Sequence, residues 1–304
     1  MSARSRGTTV GGAFAELGNV KGYPTPQPLL VGVDSSPESQ IALRWAVAAA
    51  QLRGRDVRVL RAYDLAPDDP TPVGDLRAEL DAAVAFARDR LGRGRASGVL
   101  VPGRPADVLL SDAVDAEMVV VGSRHRTTTA AALLGSVTTT LPPAAPCPVV
   151  VVRSGAEPSP DGRVVVGIDG SPTSEDAIAF AFEEAAGRNV PLGVVHCWQQ
   201  FGEVEPQCWS DDAARGAQDE HNAWMQASIE PYRDKYPKVQ VDAQLIEDRP
   251  THALVRLSRQ ADLLVVGSRG RGGFTGLLLG SVSQKVLRQA RCTVAVVRPG
   301  RSRR

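Results

Sequence analysis

Residues 267–281 read GSRGRGGFTGLLLGS, a composition suited to holding a chain of phosphates. Glycine lets a backbone turn with no side chain in the way, so that successive N–H groups can point inward around an anion. Gly267, Gly270, Gly272 and Gly273 precede a helix-like SVSQKVLRQA. A helix start adds unpaired N–H groups and a partial positive charge. Ser281, with Gln284 three residues later, reads as a capping box for that helix. The common nucleotide fingerprints do not fit. No lysine lies between 267 and 281, which excludes GxxxxGK[ST], and Thr275 stands where the last glycine of GxGxxG belongs. What remains is Gly267, two residues, Gly270, nine residues, then Gly280-Ser281. A tight strand-to-helix crossing would account for the glycines on its own.

A second version of the stretch occurs at 122–136, GSRHRTTTAAALLGS. It keeps Gly122, Ser123, Arg124, Gly135 and Ser136, followed by Val137, but has His125 at the middle glycine and Thr127, Thr128 and Thr129 after it. Side chains with a Cβ resist positive φ, so an anion nest should form less readily here. The following VTTTLPPAAP carries Pro142 and Pro143, and a proline inside a helix costs about 3 kcal/mol. The first version is therefore expected to be the weaker site, and its helix the weaker helix.

Two loops imply two units that position them, and the chain is a duplication. LLVGVDSSPES at 29–39 matches VVVGIDGSPTS at 164–174, with Asp34 and Asp169 135 residues apart. GRPADVLL at 103–110 matches DRPTHALV at 248–255, now 145 apart, as are CPVVVVRSG at 147–155 and CTVAVVRPG at 292–300. About ten extra residues thus fall within 200–238 of the second copy, a segment with Cys208, Trp209, His221 and Trp224. The expected division is a tail at 1–27, a first domain at 28–154, a Pro/Gly/Ser linker at 155–162, a second domain at 163–299 and a basic tail at 300–304. Short apolar runs such as VVVGI and LLVVG alternate with amphipathic segments that place Ala42, Trp45 and Ala46, or Ala177, Phe180 and Ala181, on one helical face. This pattern predicts an α/β fold: two doubly wound, Rossmann-like domains, each with a five-stranded parallel sheet. The last strands, PVVVV and TVAVV, are too apolar to stand as bare edges. They are expected to pair or pack together across a pseudo-twofold axis.

The loop spacing, with the VGVDxSP and VGIDGSP first strands and the paired RP dipeptides in repeat order, resembles the ATP-binding universal stress protein family over about 28–299. The chain is similar to a tandem member, two such domains in one polypeptide. The resemblance implies a cytoplasmic, ATP-binding stress or growth regulator whose conformation or protein partner depends on the nucleotide. It places Gly167 and Asp169 at adenosine, with Val266 and the second strand's end near Cys197 along the base. It places Gly267, Ser268, Arg269, Gly270, Arg271, Gly272, Gly273, Gly280, Ser281 and Val282 around the phosphates. Mg2+ is expected with the triphosphate. The weaker first-domain site would use Gly32, Asp34, Gly122, Ser123, Arg124, Gly135, Ser136 and Val137. The resemblance also implies association of two chains into a dimer.

Two other functions stay open: a slow ATP hydrolase or adenylyl-transfer enzyme, for which Arg269 and Arg271 supply cations but no base stands out, and a nucleotide-free interaction scaffold. The charge balance, 35 basic against 34 acidic residues, offers nothing to nucleic acid or anionic lipid. Residues 1–27 lack the apolar core of a signal peptide, and no apolar run approaches the roughly 18 residues of a membrane span. The four cysteines show no CxxC pairing or metal-ligand spacing, consistent with a reducing compartment. Cys147 and Cys292 read as packing residues, Cys208 as the thiol to test first, and Trp224 and Met225 as a packed helix face. Arg104 and Arg249, heading the RP dipeptides, suit either anion contact or plain turn chemistry.

Overall fold

The computed structural model describes residues 27–64, 73–123, 135–153, 162–198, 211–271 and 279–298. In the first half β1 (Leu29–Gly32), α1 (Pro37–Arg53), β2 (Val57–Tyr63), α2 (Val73–Leu91), β3 (Ala96–Pro102), α3 (Pro105–Asp112), β4 (Met118–Ser123), α4 (Ser136–Ala144) and β5 (Val149–Arg153) follow in order. The second half repeats them as β6 (Val164–Ile168), α5 (Pro172–Arg188), β7 (Leu192–Trp198), α6 (Asp211–Lys235), β8 (Val241–Glu247), α7 (Pro250–Leu257), β9 (Leu263–Gly267), α8 (Ser281–Gln289) and β10 (Thr293–Val297).

Local chemistry sets these boundaries. Pro37 and Pro172 open α1 and α5, where a missing N–H costs nothing. Gly54 and Asn189 close the two helices in the left-handed conformation, the capping position where such residues carry least strain. Ser36 caps α1 by accepting from the Ser39 amide at 3.3 Å. Ser171 makes no such bond, and its hydroxyl instead lies 3.3 Å from the Arg269 carbonyl. The additional residues of the second copy lengthen its helix: α6 has 25 residues against 19 in α2.

The ten strands of the described residues join one sheet in the order β3-β2-β1-β4-β5-β10-β9-β6-β7-β8. Pairing is parallel within each half, and the order reverses direction between β1 and β4 and between β6 and β9. The two terminal strands meet at the centre as the single antiparallel pair among the described residues, Val151 opposite Val294 and Val149 opposite Val296. Their apolar edges thereby cover each other, and both strands are fully buried. One buried cluster fills the face under α1, α2, α5 and α6, and another the face under α3, α4, α7 and α8. Each runs across the central pair, so the halves share both cores.

The join is reinforced on both sides of the pseudo-twofold. Arg153, ending β5, donates to the Leu287 carbonyl of α8, and Arg298, just after β10, donates to the Pro143 carbonyl of α4. Between α1 and α5, Arg53 bonds Glu117 and Glu184 at 2.8 Å each, and Glu184 also takes Arg188 at 2.7 Å.

The prolines expected to weaken α4 do not prevent it from forming. This helix has nine residues, as α8 has, with Pro142 and Pro143 in its last turn. Prolines so placed remove late hydrogen bonds and leave the first turn intact.

Candidate functional site

The second-half site begins where β6 ends. Directly after Asp169, Gly170 turns the chain at φ +80°, a value that L side chains rarely adopt. Asp169 Oδ1 accepts from the Ser171 amide at 3.0 Å and the Ser174 hydroxyl at 2.8 Å. Its Oδ2 accepts from the Arg271 amide at 3.0 Å, so one carboxylate ties the first strand's turn to the start of the glycine stretch. Burial pushes the Asp169 carboxyl up, but the bonds from Ser171, Ser174 and Arg271 outweigh it and hold the group below its ordinary value.

The described glycines of this stretch allow close approach, not positive φ. Gly267, Gly270 and Gly280 do not have positive φ. Gly267 and Gly270 are needed for close approach: a Cβ on Gly270 would lie 2.2 Å from Asp169 Oδ2, and one on Gly267 2.4 Å from Thr173 Oγ1. Gly167 makes room for Leu254 of α7, and Gly32 for Leu109 of α3.

The capping box does not form either. Gly280 is the N-cap, Ser281 is the first helical residue, and no side chain caps the helix. Gln284 Nε2 turns back to the Leu279 carbonyl at 3.4 Å. The first amides of α8 therefore have no side-chain cap, which suits an incoming anion better than a capped end would.

A cavity of about 650 Å³ joins these elements. Gly167, Asp169, Cys197, Val266, Gly267, Arg269, Gly270, Arg271, Gly280, Ser281 and Val282 line it. Ser268 stands behind the wall, 1% exposed, with its amide on the Val297 carbonyl and its own carbonyl taking the Gly280 amide. Gly272 and Gly273 lie outside the described residues. In the first half a cavity of about 370 Å³ is lined by Gly32, Asp34, Gly122, Gly135, Ser136 and Val137 among others. Ser123 is buried behind that wall, and Arg124, His125 and Thr127 to Thr129 lie outside the described residues.

Sequence reasoning missed the second-half cavity's far end. His196 of β7 is 3% exposed, with Nδ1 2.9 Å from the Ile168 carbonyl and Nε2 3.0 Å from His221 Nδ1. Because Nδ1 must donate to the carbonyl, Nε2 of the neutral ring accepts from His221. Trp224, from the same helix as His221, meets His196 edge-on with ring centroids 4.9 Å apart. Burial pushes the His196 imidazole below its ordinary value; the charges of His221 and Arg271 add to this, against the raising effect of the Ile168 carbonyl and Asp169. The available signal was the repeat itself: position 196 corresponds to Arg61, and a changed residue in a matched strand marks a changed pocket. Met225 and Ile229 are core residues of the same helix, as the packed-face reading expected for Met225. Arg104 and Arg249 are exposed N-cap residues of α3 and α7 with no side-chain cap bond.

Among the described residues no group of three or more His, Cys, Asp or Glu is arranged to hold a metal. The thiols of Cys147 and Cys292 are pushed up by burial to about 12, and that of Cys197 to about 11. Cys208 and Trp209 lie outside the described residues.

The sequence profile of the Universal stress protein family matches this chain twice, over residues 26–153 and 162–298. The chain belongs to the universal stress protein family. Universal stress protein Rv2005c of Mycobacterium tuberculosis is 39% identical over 287 residues, covering 89% of this chain and 96% of that protein. A universal stress protein of Mycolicibacterium smegmatis is 36% identical over 295 residues, covering 90% and 98%. In fold, this universal stress protein is similar to the crystal structure of one from Archaeoglobus fulgidus, with a TM-score of 0.68 and 19% identity over 91% of this chain and all of that one.

Proposed function

We propose that the second half binds ATP and that the protein is a nucleotide-dependent stress or growth regulator of the cytoplasm. The observation that carries this reading is one cavity joining the uncapped start of α8 to a carboxylate held ionised at the end of β6. Phosphate oxygens suit the first amides of α8, where the helix dipole is positive, with Arg269 and Arg271 alongside. Asp169 is an acceptor for ribose hydroxyls, the role an acidic residue takes in other doubly wound nucleotide sites. Val266, Leu254 and Cys197 offer an apolar wall for adenine. The cavity lies beyond the carboxyl ends of β6 and β9, at the reversal in strand order where such sheets take ligands.

The residues fit a triphosphate better than a bare metal ion. Mg2+ would be held by phosphate oxygens and water, with Asp169 the carboxylate in the cavity. Bound, it would neutralise the phosphate charge that amides and two arginines leave over. That no helix among the described residues is long and apolar enough to cross a membrane is compatible with a cytoplasmic regulator. Pairing of two chains and a regulatory protein partner belong to the same proposal.

Isothermal titration with Mg-ATP tests it. Wild-type protein should bind, and Gly270→Val, whose side chain intrudes on Asp169, should lose at least tenfold in affinity. Equal affinity in the two proteins would refute the assignment to this half.

A further inference from the structure

His221 lines the second-half cavity from α6, and its hydrogen bonding is dictated from the core outward. The Ile168 carbonyl can only accept, so His196 carries its proton on Nδ1 and leaves Nε2 as an acceptor. His221 Nδ1, 3.0 Å from that nitrogen, must then be the donor. A neutral imidazole holds one N–H, so His221 keeps a lone pair on Nε2. That nitrogen makes no hydrogen bond among the described residues, and the ring is half-buried. The opposite tautomer would cost the bond to His196, which in turn cannot change without losing the Ile168 carbonyl.

The surroundings place this acceptor at one end of the cavity. Trp198, which ends β7, has its ring centroid 5.8 Å from that of His221, and both residues line the cavity. Trp224, one turn further along α6, lies so close to Gly170 that a Cβ there would come within 3.2 Å of its ring. α6 is thereby held against the turn that follows Asp169. In the sheet β6 separates β7 from β9, the strand that leads to α8. Phosphates at the start of α8 and a ribose at Asp169 therefore leave the base at the β7 end, beside His221. The first half has no counterpart. Arg61 stands at the place of His196, and Leu76 at that of His221, 145 positions apart like the buried pairs Leu80–Met225 and Val84–Ile229. Leu76 lines the first-half cavity with no polar side-chain atom to offer. Adenine carries a donor, its amino group, where guanine carries the O6 carbonyl, which would set acceptor against acceptor at Nε2.

We infer that His221 selects adenine in the second half, its Nε2 accepting a hydrogen bond from the 6-amino group, with His196 as the positioning residue that fixes the accepting tautomer. This rests on the reading of the cavity as an ATP site.

Calorimetry on the full chain, with Mg-ATP and with the Mg complex of purine riboside triphosphate, tests it. The analogue has hydrogen in place of the 6-amino group and is otherwise the same molecule. Wild-type protein should prefer ATP by at least about tenfold, because without the amino group the acceptor is covered and left unpaired. His221→Phe, which keeps a ring but loses the acceptor, should bind the two nucleotides alike. A second measurement needs neither a variant nor a ligand: 15N spectra of the nucleotide-free protein should show His221 protonated at Nδ1 and bare at Nε2. In His196→Leu the Nε2-protonated form of His221 should appear, and the preference for ATP should fall with it. Equal binding of ATP and the analogue by wild type, an unchanged preference in His221→Phe, or a His221 proton found on Nε2 in the neutral wild-type ring would each overturn the inference. In those cases ATP still bound to the second half leaves the ATP proposal standing. Failure of both nucleotides to bind would instead remove the ATP proposal, and this inference with it.

Discussion

Gly270→Ala isolates the contact on which the second-half site is organised. The new Cβ would sit 2.2 Å from Asp169 Oδ2, more than an ångström inside normal contact. Asp169 cannot simply retreat, because its other oxygen is held by the Ser171 amide and the Ser174 hydroxyl. The loop must move instead, and the bond from the Arg271 amide to Oδ2 is then lost. A hydrogen bond to a charged group contributes about 1.5–3 kcal/mol. Nucleotide-free protein should therefore lose about that much stability in urea unfolding. The same shift displaces Arg271 and should weaken ATP roughly 10- to 100-fold, read by calorimetry. Two controls separate geometry from side-chain chemistry. Arg271→Ala keeps the amide and should leave nucleotide-free stability within about 0.5 kcal/mol of wild type. Gly216→Ala, at an exposed helical position with nothing within 4 Å, should stabilise by roughly 0.5–1 kcal/mol. If Gly270→Ala matches wild type in both stability and affinity, the carboxylate does not organise the loop and the reasoning fails.

Acidification supplies a second test. His196 is held neutral below its ordinary pKa of about 6.5, so the unfolded chain takes up its proton first. Stability should be fully present above that pH and decline as pH falls below it, towards the lower folded value. His196→Gln should flatten that decline; an unchanged slope in urea midpoints against pH would count against a neutral buried ring. At the central seam, Val294→Ala removes a fully buried side chain from the β5–β10 pair and should cost about 1–3 kcal/mol. One cooperative transition for the whole chain would accompany it, whereas separate melting of the two halves would contradict the shared cores. In a Cys208→Ser background, Cys147, Cys197 and Cys292 should react slowly with a thiol reagent at pH 8, since their thiols are pushed to about 11 or 12. Fast labelling of any of them in native protein would show that burial is weaker than described.

Much of the architecture was legible because it rests on patterns that repeat. The apolar runs of β1, β4, β6 and β9 and the alanine faces of α1 and α5 reappear at fixed offsets, and two bare apolar strands at the repeat ends require cover. What was misread depended on geometry that spacing does not encode. Ser281 and Gln284 have the spacing of a capping box, but the helix begins one residue earlier than that motif requires, with Gly280 as the cap. Pro142 and Pro143 fall in the last turn of α4, and the helix still forms around them. The glycines of the second loop imply unusual φ in sequence, while in space Gly267 and Gly270 relieve contacts with Thr173 and Asp169. His196 and His221 are 25 residues apart, and only the packing of α6 on β7 brings them together.

A crystal structure of the protein grown with Mg-ATP tests the central claim most directly. The account predicts density for a nucleotide in the second-half cavity, with its phosphates on the amides of Ser281 and Val282 and its ribose on Asp169. A second-half cavity that stays empty at saturating Mg-ATP, or phosphates bound away from the start of α8, would contradict it.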